Sequence, residues 1–222
     1  MPAAPSRHPT LLFDLDGTLL DSIEFILASA RFCFQKLGRV APSDEEWAAG
    51  IGIPLFTMLG RYARDPEDLA TLIAAYREYQ VANHDRLTRC YDGVVDAVRA
   101  YAAAGHELAI VTSKSEALAM RGLVRVGIAR YIDTIVGCDA SSRHKPDPEP
   151  VRIALDRLGT RPEDAVFIGD SVHDVRAGNA AGVATVAALW GAGSRTELEA
   201  GKPTHFASTI ADVTRLVSDW PT

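Results

Sequence analysis

The chain has 222 residues, 47% of them hydrophobic and 23% charged, with a formal net charge of −6. That composition belongs to a globular protein with a sizeable core, not to a disordered or fibrous one. Basic residues are scattered among acidic ones, so no run of them can follow a nucleic-acid backbone, and nucleic acid is excluded as a partner. An anionic substrate must be held by local positive charge and metal, against the overall field. Cys33, Cys90 and Cys138 are odd in number, far apart and form no CxxC pair. This argues against a disulfide framework or a zinc site and suits a reducing compartment. The opening ten residues lack the apolar segment of a signal peptide. The longest apolar stretches are broken by Asp14, Asp16, Asp21 and Glu24, so no membrane span is expected and a cytoplasmic protein is.

In chain order, residues 11–16, Leu-Leu-Phe-Asp-Leu-Asp, read as a strand, yet nothing like a parallel partner follows for about 75 residues. The intervening segment is helical in pattern. Ile23, Ile26, Leu27, Ala30, Phe34 and Leu37 recur at the 3.6-residue period on one face. Ser43 with Glu46 has the spacing of a capping box, and Pro54 and Asp65-Pro66-Glu67 mark further helix starts. Leu69, Leu72, Ile73, Tyr76 and Gln80 form another stripe. From about residue 91 helix, glycine and strand alternate. A helix over 94–104 stops at Gly105 before a strand over 106–112, and a helix capped by Ser115 stops at Gly127 before a strand over 131–136. A helix from about residue 149 stops at Gly159 before a strand over 165–168. A last unit stops at Gly182 and enters residues 183–189. Near-continuous apolar strands belong to a parallel sheet covered on both faces. The expected fold is α/β: a doubly wound, Rossmann-like parallel sheet, residues 1–20 and 91–222, with an all-helical cap inserted as residues 21–90.

The sharpest local signal is Phe13-Asp14-Leu15-Asp16-Gly17-Thr18-Leu19-Leu20-Asp21-Ser22. Two carboxylates two apart on a strand point to one face, here at its carboxyl end, where open α/β sheets bind ligands. Like charges so close repel, and a divalent cation with a taste for oxygen, Mg²⁺, relieves this. Gly17 lets the backbone turn sharply. A second acidic pair, Asp170 and Asp174, follows the strand over 165–168. Thr112 and Ser113 end the strand over 106–112, and Lys145 stands in His144-Lys-Pro-Asp-Pro148 at a helix start. The sheet would bring these positions to one rim. Together they offer a nucleophilic carboxylate, an acid/base, a metal site, hydroxyls and a cation, the inventory of phosphoryl transfer.

These motifs resemble, in order and spacing, those of the haloacid dehalogenase superfamily, in its phosphoglycolate phosphatase branch with a helical cap. The resemblance spans residues 11–212. It implies Asp14 as nucleophile and Asp16 as the acid that protonates the leaving oxygen and then activates water. It implies Thr112 and Lys145 as phosphate-binding residues, and Ser113, beside Thr112 at the same strand end, is a further phosphate-binding candidate. Mg²⁺ would be held by Asp14, the Asp16 carbonyl and Asp170, with Asp174 and Thr18 standing behind those ligands. An Asp two residues after the nucleophile favours phosphatases over dehalogenases. His144-Lys-Pro-Asp-Pro-Glu-Pro150 and residues 76–87 also resemble a subgroup that hydrolyses pyrophosphate, so phosphoglycolate and pyrophosphate both stand as substrates. A monomer or homodimer is expected.

Each residue has a plainer reading: Asp174 as a helix cap, Lys145 as a loop lysine, His144 and His173 as rim residues, since Mg²⁺ has little affinity for imidazole. A receiver-type signalling module, with Asp139 as phosphoacceptor at the third strand, is the alternative from another class. The apolar Ile51-Gly52-Ile53-Pro54 stretch offers little to hydrogen-bond a sugar, and Arg61 and Arg64 nearby could meet a second anionic group. A small anionic phosphorylated substrate is therefore expected, phosphoglycolate first and pyrophosphate second, rather than a phosphoprotein or nucleic acid.

Overall fold

The computed structural model describes residues 9–220. The reading of the opening residues as no signal peptide, and the outer ends of the core at 1–8 and 221–222, lie outside the described residues. Six parallel strands, β1 (Thr10–Phe13), β2 (Leu108–Val111), β3 (Thr134–Val136), β4 (Ala165–Gly169), β5 (Ala184–Ala188) and β6 (His205–Ala207), form one sheet in the order β3-β2-β1-β4-β5-β6. This is the doubly wound arrangement, with the direction of winding reversing between β1 and β4. The sequence pattern missed β6. Its three residues, His-Phe-Ala, are too short and too polar at one end to stand out.

Strand alternation decides which side chains meet which layer. Leu11 and Phe13, Leu108 and Ile110, Val166 and Ile168 join Val98, Tyr101 and Val213 on one face. Leu12, Ala109, Val111 and Phe167 join Val151, Ala154 and Leu155 on the other. The first layer comes from α5 (Val94–Ala104), α6 (Glu116–Arg125) and α10 (Ile210–Ser218), the second from α7 (Glu149–Leu158) and α8 (Val172–Ala181). A short α9 (Arg195–Ala200) packs Leu198 against Val175 and Ala187. Gly105, Gly127, Gly159 and Gly182 end or follow their helices with positive φ, as the pattern predicts.

Between β1 and α5 the chain forms α1 (Ile23–Lys36), α2 (Asp44–Ala48), α3 (Leu55–Gly60) and α4 (Pro66–Leu87). These helices bury an apolar cluster of their own: Ile26, Leu27, Ala30 and Phe34 from the first stripe meet Trp47, Leu59, Leu72 and Tyr76. The capping box at Ser43 is half present. Ser43 Oγ accepts from Glu46 N at 3.1 Å, but the Glu46 carboxylate turns away and accepts from Tyr62 Oη at 2.7 Å. The chain leaves and re-enters the core side by side, with Asp21 N donating to Arg89 O and Tyr91 N to Leu19 O. Among the described residues no helix is long and apolar enough to cross a membrane, and Cys33, Cys90 and Cys138 are free thiols.

Candidate active site

The carboxyl ends of β1 and β4 are adjacent, in register from Thr10 with Ala165 to Phe13 with Ile168. The turns that leave the two strands are therefore brought together at the point where the winding reverses. β1 stops at Phe13, so Asp14 and Asp16 do not share a strand face as the spacing predicts; Asp16 lies in the turn beyond. Asp14 is buried at the strand end, whereas Asp16 is only partly covered.

Asp14, Asp170 and Asp174 form a buried cluster, each with a carboxylate oxygen within 4.8 Å of the others. One cation faces them. Lys145 Nζ lies 2.9 Å from Asp14 Oδ1 and 2.6 Å from Asp174 Oδ1, and it donates to Val111 O at 3.2 Å. Asp174 Oδ2 accepts from the backbone N–H and the hydroxyl of Ser171, closing the capping box of α8. Both of its oxygens are thus engaged by protein donors, and the helix-cap and site readings of Asp174 hold together. Asp170 accepts from Thr18 Oγ1 and from Ala192 N, each at 2.8 Å, while Trp190 Nε1 holds the Thr18 carbonyl at 2.9 Å.

Three carboxylates against one ammonium leave excess negative charge among buried side chains. Burial, reinforced by Asp174 and Asp170, drives the Asp14 carboxyl well above its usual range despite Lys145. Burial and Asp174 push Asp170 up to about 7. Burial works against the charge of Lys145, but Asp14 and Asp174 outweigh it and hold the lysine above its ordinary value. The donor set is all oxygen, with an uncompensated charge, and so fits a hard divalent cation.

Thr112 is buried at the end of β2 and shares a cavity of about 130 Å³ with Asp14 and Asp16. Ser113 lines it too, but its hydroxyl donates to Gly52 O of the inserted helices at 2.5 Å, tying the insertion to the rim. The Ile51–Ile53 loop does reach the cavity. Arg61 and Arg64 are not among its lining residues, and Arg64 is held by Asp68. Lys114 and Arg77 line it instead. Lys114, two residues past Thr112, was legible as a second rim position. Arg77 stands on an exposed helix face, and only docking of α4 brings it in. His144 packs edge-on against Phe56 at 5.5 Å, and burial lowers the His173 pKa, keeping it neutral. Asp139 caps α6 through Glu116 N, outside the carboxylate cluster.

The segment Gly191-Ala-Gly193, too short for a nucleotide loop, has another task. A Cβ at Gly191 would sit 2.2 Å from Asp170 Cβ, and Gly193 N donates to Asp170 O at 3.0 Å. Gly17 takes φ +81°, and a Cβ there would fall 2.1 Å from Asp170 Oδ2. Asp170 is thus clasped between two bare stretches of backbone.

Residues 11–188 match the family described as haloacid dehalogenase-like hydrolase. The chain belongs to that family. It is 36% identical over 211 residues to the pyrophosphatase PpaX of Bacillus velezensis, covering 93% of this chain and 95% of that one. A PpaX of Halalkalibacterium halodurans is 38% identical over 176 residues, covering 79% and 81%. A crystal structure of a predicted phosphatase from Clostridium acetobutylicum superposes with a TM-score of 0.85 at 27% identity, covering 97% of this hydrolase and 100% of that chain. One of a predicted phosphoglycolate phosphatase from Haemophilus somnus reaches 0.88 at 23% identity over 96% and 99%, a likeness of fold. The receiver-module alternative falls with this membership.

Proposed function

We propose that this hydrolase is a phosphatase that transfers the phosphoryl group of a small anionic substrate to Asp14 and then to water. The observation that carries the reading is the buried Asp14–Lys145–Asp174–Asp170 cluster at the sheet's switch point. Asp14 attacks phosphorus in line. Lys145 and the Thr112 hydroxyl hold the phosphoryl oxygens, and Ser113 orients the rim through Gly52. Asp16 gives a proton to the leaving oxygen, then takes one from the water that attacks phospho-Asp14. The cation is Mg²⁺, held by Asp14, Asp170 and the Asp16 carbonyl, with Thr18 and Asp174 fixing those groups; when bound it neutralises phosphoryl oxygen charge. Asp174 keeps Lys145 charged and aimed at Asp14. Residues 21–90 act as the cap, with 1–20 and 91–222 the catalytic core, and closure excludes bulk water.

Inorganic pyrophosphate stands ahead of phosphoglycolate, because relatives that align over nearly their whole length carry the pyrophosphatase name. The test is phosphate release from pyrophosphate, phosphoglycolate, hexose phosphates and phosphopeptides, with Mg²⁺ and with chelator. Pyrophosphate or phosphoglycolate should lead, chelator should stop turnover, and Asp14→Asn should lower it by orders of magnitude while remaining folded. Substantial activity in Asp14→Asn would overturn the role of Asp14. A lead of about tenfold for hexose phosphates or phosphopeptides would overturn the substrate class.

A further inference from the structure

Asp16 is held. Its Oδ1 accepts from Ser22 Oγ and from Lys114 Nζ, each at 2.5 Å. The ion pair is shielded, with the Lys114 and Asp16 side chains 21% and 13% exposed. A general acid must aim a carboxyl oxygen at the reacting group, and here an ammonium and a hydroxyl both bind Oδ1 and so fix the direction in which the whole carboxylate points.

Lys114 and Arg77 are the cations in the wall of the cavity that Asp14 and Asp16 share, and much of the remaining wall is apolar, including Ile26, Ile53 and Met58. Arg77 enters from α4 and forms no ion pair among the described residues. One free guanidinium and one ammonium already bound to the acid thus face the space a leaving group would occupy.

We propose that Arg77 and Lys114 receive a second anionic group on the substrate, and that its arrival draws Lys114 off Asp16, releasing the acid toward the leaving oxygen. This rests on the phosphatase reading above. A shielded ion pair is not readily exchanged for water, because each charge left behind would be poorly solvated. It exchanges readily for another anion. A ligand shifts a two-state arrangement only through differential affinity for the two states, and the distal anion has it, because an ammonium whose charge is no longer shared with Asp16 binds that anion more strongly than one still paired with the carboxylate. A substrate with a neutral leaving group meets Arg77 and Lys114 without that advantage, so Asp16 stays held. Selectivity for doubly anionic substrates is then built into the acid itself, and Lys114 is a positioning residue for Asp16.

The test compares pyrophosphate with p-nitrophenyl phosphate, which has one phosphoryl group and a good leaving group, in wild type, Lys114→Gln, Lys114→Arg and Arg77→Gln at saturating Mg²⁺. Lys114→Gln should raise KM for pyrophosphate by about tenfold or more, the loss of one charge-assisted contact. In the same variant, kcat for p-nitrophenyl phosphate should rise about two- to fivefold, because Asp16, no longer held, is free to take the proton of the water that attacks phospho-Asp14, the one step in which this substrate needs it. Opposite changes on two substrates cannot come from a damaged fold. Arg77→Gln should raise KM for pyrophosphate alone, and Lys114→Arg should keep the preference within about threefold of wild type. Parallel losses on both substrates in Lys114→Gln, or an unchanged KM for pyrophosphate in both glutamine variants, would overturn the inference while the phosphatase reading stood. Absence of Asp14-dependent phosphate release from either substrate in wild type would overturn that reading and this inference with it.

Discussion

Replacing Asp170 with asparagine should make the metal-free protein more stable at pH 8. Burial, with the charge of Asp174, raises the Asp170 carboxyl from 3.8 to about 7, against the opposing pull of Ala192 N–H, the Thr18 hydroxyl and Lys145. A folded-state value above the unfolded one means that the stability it confers is whole below the unfolded value and lost as pH climbs through about 7. The interval from 3.8 to about 7 sets a ceiling of about 4 kcal/mol on that loss at pH 8. Asparagine removes the charge and keeps both partners: its oxygen can face Ala192 N–H, and its amide can donate to the Thr18 hydroxyl, which rotates to accept. The less favourable pairing costs about 1 kcal/mol, and Asp14 bears part of the shared repulsion, leaving a net gain of about 2 kcal/mol. For a chain of this size that is a rise of about 4–8 °C in Tm. Thermal unfolding followed by circular dichroism in excess chelator, from pH 5 to 8, should show the gap widest at pH 8 and narrowing toward pH 5. Saturating Mg²⁺ should stabilise wild type by mass action and the variant far less, closing or reversing the order. An Asp170→Asn protein less stable than wild type at pH 8 in chelator, or a gap that ignores pH, would refute the charge argument.

Two further changes probe the same site. Gly17→Ala places a Cβ 2.1 Å from Asp170 Oδ2 on a backbone at φ +81°. It should lower Tm through about 2–3 kcal/mol of strain and overpacking and weaken Mg²⁺ activation more than the fold. Unchanged Mg²⁺ dependence by titration of phosphate release would count against the clasp around Asp170. Asp16→Asn should leave phospho-Asp14 to accumulate with p-nitrophenyl phosphate, because a good leaving group needs no acid while the attacking water still needs a base. Rapid-quench mass spectrometry should find the modified Asp14 peptide, and its absence during continuing hydrolysis would favour direct attack by water.

Much of this protein is legible locally. A strand, an acidic pair and a glycine turn within residues 11–17 are short-range signals, and periodicity separates α1 and α4 from the strands on either side. The alternation of helix, glycine and strand after residue 91 implies a parallel sheet, because a crossover helix is what joins parallel neighbours. Its edge is less legible: the three-residue β6 carries too little pattern to separate it from a turn.

The sequence by itself determined which groups are candidates for the site: Asp14, Asp16, Thr112, Lys145, Asp170 and Asp174 stand near strand ends or helix starts, and such positions share one rim in a doubly wound sheet. Only the tertiary structure decided how these groups are engaged. It ties Lys145 to both Asp14 and Asp174, closes Gly17 and Gly191 around Asp170, and puts Lys114 on Asp16. It also brings Arg77, far from the motifs along the chain, into the wall beside them. The reason is range. A residue's type and spacing report what it can do within a few neighbours, whereas ion pairs between residues 98 apart, such as Asp16 and Lys114, exist only after the core has packed and the insertion has docked.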